Sequence, residues 1–153
     1  MSVFQELSQI DVSSHLEEKS GLSYLQWAAA WSLAKGYDPD ATYEVLTSTV
    51  GQPYFNDPVA GAFVAVAVTI KGLRLVEYLP VLDYRNKAVQ GENLNVFDIN
   101  SAVKRCLVKC LAMHGLGIQV YIDGTGAGLD LAKGLKKKPK AAPAKAKTNK
   151  RSF

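Results

Sequence analysis

The stretch "NVFDINSAVKRCLVKCLAMHGLG", residues 95–117, decides how this chain folds. Ile99, Ala102, Val103, Cys106, Leu107, Cys110, Leu111 and His114 recur at steps of three and four, which places them on one face of a helix. Asp98 or Asn100 can cap its start, and His114 reads as a core or a helix-end histidine beside Gly115, where a cation suits the helix dipole. Both cysteines fall inside the apolar stripe, and a buried thiol behaves as a small hydrophobe. A disulfide is disfavoured, because residues one turn apart project side by side. Zinc needs a fourth ligand, and the other histidine, His15, is distant in the chain. Lys104, Arg105 and Lys109 lie off the stripe. Arg105 and Lys109 are one turn apart and repel by a few tenths of a kcal/mol. Three cations with no compensating acid point to an anionic partner; the alternative is an ordinary solvated face.

Outward from this helix, "AFVAVAVTI" and "LRLVEYLPVLD" flank Lys71-Gly72 and predict a hairpin. Valines at 64, 66 and 68 alternate with small residues, which predicts a strand whose second face is also covered or lies close to a neighbouring subunit. "ATYEVLTSTV" reads as a further strand, and "GQPYFNDPVAG", with its prolines and glycines, as the loop between strands. "LSYLQWAAAWSLAKGY" predicts a helix capped by Ser23 and stopped by Gly36, with Leu25, Ala28, Trp31 and Leu33 or Ala34 at helical spacing. "YRNKAVQGENLN" is polar and reads as mobile, and "IQVYI" reads as a short strand. Helices and strands together give an α+β chain with three parts. Residues 1–21 form an N-terminal arm, loose or a short helix; 22–123 form the folded core. Residues 124–153 form a glycine hinge and a Lys/Ala/Pro-rich tail that cannot bury enough apolar area to fold alone.

Charge divides along the same line. The 153 residues carry a net +4, yet residues 1–130 hold nine Lys or Arg against 14 Asp or Glu, a net of −5. From Lys133 onward there are nine Lys or Arg, Lys136, Lys137 and Lys138 among them, and no acid. Such asymmetry points to nucleic acid or another anionic surface. The longest apolar run, near Ala60–Ile70, is too short to span a bilayer, and the opening "MSVFQELSQIDVSS" lacks the pattern of a secretory leader. With two cysteines, these features predict a reducing cytoplasm.

Chemistry is weakly signalled. "GTGAGLDLAKG" lacks the order of a phosphate-binding loop. Asp57, Glu77 and Asp83, with Lys87, could form a metal-dependent nuclease site, but Glu77-Tyr78-Leu79 lacks the Glu-x-Lys such sites use. A third reading lets the tail do everything, compacting nucleic acid without specificity. Tyr84 beside Arg85, and Tyr54-Phe55, are candidates for base stacking, whereas Trp27 and Trp31 read as core or subunit contacts.

The blocks "LSYLQWAAAW", "DATYEV", "LPVLDYRNKA" and "FDINSAVKRCLVKCLAMHGLGIQVYI", in this order over roughly residues 22–123, resemble the Sak-type single-strand annealing proteins of bacteriophages. That family is placed in a wider superfamily of Rad-family and Red beta-like annealing proteins. The resemblance implies a β-β-β-α core, a small antiparallel sheet packed on helices, that assembles into rings or helical filaments. It also implies a basic groove that holds single-stranded DNA with its bases available for a complement, and the annealed duplex as an intermediate. It carries Asn86 and Lys87, and Lys104, Arg105 and Lys109, over as DNA-binding residues. It requires no cofactor and no nucleotide hydrolysis, and it brings a phage exonuclease or single-strand-binding protein into view as partner, in the cytoplasm of a bacterial host.

Overall fold

A computed structural model of the chain describes residues 1–19 and 22–122; the segment read as a tail lies outside them. Its centre is the hairpin. Strand β5 (Gly61–Ile70) and strand β6 (Leu73–Pro80) pair antiparallel from Phe63–Pro80 to Ile70–Leu73. Lys71 and Gly72 both take positive φ, 48° and 80°, as a two-residue hairpin turn of matching twist demands. On the other side of β5 lie β3 (Thr42–Val45) and the short β4 (Phe55–Asp57), both antiparallel to it. The loop expected over 51–61 thus contains a strand, because Phe55 stacks on its cross-strand partner Phe63 with ring centroids 5.0 Å apart.

Helix α3 (Val96–Met113) lies across one face of this sheet. Every residue of the predicted stripe is buried, and they meet Val64, Val66, Val68 and Ile70 in one core. The cysteine thiols fill the seam: Cys106 Sγ donates to the Glu77 carbonyl (3.2 Å) and Cys110 Sγ to that of Leu75 (3.4 Å). Ala65 and Ala67, on the opposite sheet face, are buried as the pattern predicts. Ala65 sits opposite Tyr78, and Ala67 between Glu44 and Val76.

Several boundaries differ from the sequence reading. Asn95 caps α3, its side chain accepting from the Asp98 N–H (2.9 Å), so the helix starts ahead of Asp98 and Asn100. Ser23 lies in β2 (Leu22–Leu25), which pairs antiparallel with β1 (Leu16–Lys19). Helix α2 (Trp27–Tyr37) therefore begins after Gln26, and Gly36 lies within its last turn. The segment read as a strand at 118–122 instead forms one helical turn, α4 (Gln119–Ile122), where Gly115 and Gly117 redirect the chain. The N-terminal segment begins with a short helix, α1 (Val3–Ser8), and it is docked: Leu7 and Val12 are 0% and 1% exposed members of the main core. Burying one such leucine contributes about 1.5–3 kcal/mol.

Candidate nucleic-acid interface

With its apolar stripe on the sheet, α3 turns its cations outward, but not as one row. Five residues at about 100° each place Lys104 and Lys109 about 140° apart around the helix. Arg105 and Lys109 share a side, and each cation meets a different environment. Lys109 Nζ pairs with Glu77 Oε1 at 3.3 Å and reaches the Tyr78 carbonyl at 3.5 Å, so its charge is partly compensated. The Arg105 guanidinium lies 5.9 Å from the centre of the Tyr24 ring. The Lys104 ammonium stands 4.1 Å above the Trp27 ring and 6.0 Å from that of Tyr43. Ring faces attract a cation by about 0.5–1 kcal/mol at exposed sites and leave its outer side open to an anion. Among the described residues, neither Lys104 nor Arg105 has a carboxylate partner.

Lys104 helps line a groove of about 390 Å³ between the first turns of α3, strand β3 and the loop before β4. Tyr43, Pro53, Tyr54, Val96 and Asn100 contribute to its walls, and no carboxylate does. Tyr43 is braced by Trp31, edge to face, with centroids 5.0 Å apart. Beside the groove, Val96 and Phe97 are 83% and 76% exposed, an apolar surface at the start of the helix. A second groove of similar volume, around Asn56, Pro58 and Gln90 to Asn93, contains Glu92 and no cation, which does not suit phosphate.

The turn after β6 carries local hydrogen bonds. Asp83 Oδ1 accepts from the N–H groups of Arg85 (2.8 Å) and Lys87 (3.1 Å), and Asn86 takes a positive φ of 58°. This presents Tyr84, 85% exposed, with the Arg85 guanidinium 5.2 Å from its ring centre. Among the described residues, no hydrogen bond, ion pair or ring contact joins Tyr84, Arg85, Asn86 or Lys87 to the cations of α3. Lys136, Lys137 and Lys138 lie outside the described residues.

Other readings resolve on geometry. Asp57 accepts from the Val59 and Ala60 N–H groups (2.8 and 2.6 Å), which hold its pKa low; Asp83 caps its turn and Glu77 pairs with Lys109. These three carboxylates are not brought together as a nuclease site would require, and among the described residues no group of three His, Cys, Asp or Glu is placed to hold a metal. Trp27, read as a core or subunit contact, is 40% exposed under Lys104. Sequence reasoning missed Tyr24, Tyr43 and Asn100 as neighbours of the cations. Only the strand assigned to "TYEV" hinted at an outward tyrosine, and nothing in the sequence places it across from Lys104.

Compared with known proteins, the chain matches the family model described as Sak Single Strand Annealing Protein over residues 2–153. The match is wider than the blocks quoted above, taking in the N-terminal segment and the basic tail. No curated protein and no solved structure matches it.

Proposed function

Because the chain belongs to the Sak single-strand annealing protein family, we propose that it holds a DNA strand along the outer side of α3 and pairs it with its complement, without nucleotide hydrolysis. The observation that carries this reading is the pair Lys104 and Arg105: two helix cations set on aromatic faces, with no acid among the described residues to neutralise them. Annealing needs phosphates neutralised and bases unstacked but accessible, which cations and ring faces supply and base-edge readers do not. Lys109 contributes less, since Glu77 shares its charge. Tyr84, Arg85, Asn86 and Lys87 form a second contact on their hydrogen-bonded turn, and Lys136, Lys137 and Lys138 a third in the tail.

In this proposal the protein is not an enzyme. It acts as a homo-oligomer, a ring or helical filament, in phage recombination within the bacterial cytoplasm. A phage exonuclease or a single-strand-binding protein delivers its substrate. The test is a salt series of single-strand binding. Replacing Lys104 and Arg105 with Ala should lower affinity and flatten the slope of log K against log salt by about 0.7 for each phosphate no longer neutralised. Lys109→Ala should change the slope less. An unaltered slope in a folded double variant would contradict the assignment.

A further inference from the structure

We propose that the groove beside Lys104 takes up one unstacked nucleobase of the bound strand in each subunit, with the Lys104 ammonium on the adjoining phosphate. The inference rests on the reading above and adds to it a site that sees bases. At about 390 Å³ the groove is at the small end of ligand clefts. Its walls are what a base requires: the rings of Tyr43 and Tyr54 as flat apolar surfaces, and the Asn100 amide as a donor and acceptor. Asn100 is exposed on α3, and among the described residues its amide is engaged in no hydrogen bond. Tyr43 is braced edge to face by Trp31, and Tyr54 is partly buried against the main core, so both rings have packing partners within the fold.

Charge selects the occupant. An apolar side chain from a second copy would cover Lys104 without offering an anion, and would strip water from an unpaired ammonium. A nucleotide brings both an apolar plane and an anion, and no carboxylate in the lining repels it. One base per subunit is then held out of pairing, while the bases between successive subunits remain free for the complement.

The experiment compares full-length protein binding to an oligothymidylate with binding to an abasic deoxyribose-phosphate strand of equal length. The tail and the helix cations see the same phosphates on both. One base–aromatic stack per subunit predicts at least about fivefold tighter binding of the base-bearing strand. Tyr54→Ala and, separately, the exposed Asn100→Ala should shrink that ratio towards one while leaving affinity for the abasic strand unchanged. Equal binding of both strands by the unmodified protein overturns the inference and leaves the phosphate reading standing, as does a ratio that Tyr54→Ala does not change. If Tyr54→Ala alters the oligomer's mass in the absence of DNA, the groove belongs to a second copy and the inference fails. Failure of the parent reading looks different: neither strand is held at any salt.

Discussion

His114 shows how far a single residue's role depends on what folds around it. The sequence reading left it a core or a helix-end histidine, and the ring, 2% exposed, is a core one. Its Nε2–H donates to the Val68 carbonyl at 2.9 Å, and Nδ1 is buried with no partner among the described residues. Burial lowers its pKa, so the neutral ring is the folded form. The two thiols shift the other way: burial pushes Cys106 up to about 12 and Cys110 up to about 11. Linkage then sets both ends of the stability profile. The folded protein binds fewer protons at His114 than the unfolded chain, so the histidine's contribution is present above about pH 6.5 and is lost as pH falls through the lowered value. At the cysteines the unfolded chain ionises first, from about pH 8.5, so stability declines as pH rises from there towards 11 and 12. Urea midpoints measured across pH should form a plateau between these limits. His114→Gln should weaken the acid limb, and Cys106→Ala with Cys110→Ala the alkaline one. Limbs that survive these substitutions unchanged would show that other groups govern them.

At the scale of elements, the hairpin and α3 were legible because local signals and tertiary demands agree there. Lys71-Gly72 suits the turn that the β5–β6 pairing needs, and the stripe on α3 has a sheet to pack on. The misread elements are those where tertiary structure overrode local preference. "IQVYI" has strand-forming residues, yet it follows two positive-φ glycines and forms one helical turn that buries Gln119 and Val120. "LSYL" is claimed by pairing with β1, which delays α2. At the candidate site the cations were legible, but Tyr24, Trp27 and Tyr43 reach them from β2, α2 and β3, a juxtaposition that no local pattern encodes. Docking of the N-terminal segment was equally hidden. It depends on Gly115, where φ is 115° and an added Cβ would stand 2.4 Å from the Phe4 carbonyl oxygen. Gly115→Ala should therefore cost about 2 kcal/mol or more in chemical denaturation. Gly36→Ala should stabilise by about 0.4–1 kcal/mol, since that position is helical and a Cβ there meets nothing within 4 Å. A Gly115→Ala cost below about 0.5 kcal/mol would mean that α1 does not rest on this turn.

The whole molecule is two electrostatic units. Residues 1–130 carry a net −5, and the segment from Lys133 carries nine cations without an acid. A lysine-rich segment attracts any polyanion through counterion release, duplex included, and so raises the local DNA concentration. Attraction of that kind does not align two strands. In the proposed function the folded part does so, through Lys104 and Arg105 set on Trp27 and Tyr24, although its net negative charge weakens long-range attraction. Pairing should thus belong to the folded part and capture at physiological salt to the tail. Annealing of complementary oligonucleotides, followed across a salt series for the full chain and for a chain ending at residue 131, tests this division most directly. The shortened chain should anneal at low salt, slow sharply at physiological salt and lose most duplex binding. If it anneals at no salt concentration while a peptide of residues 132–153 does, the protein is a charge-driven condenser and the folded surface is not its working site.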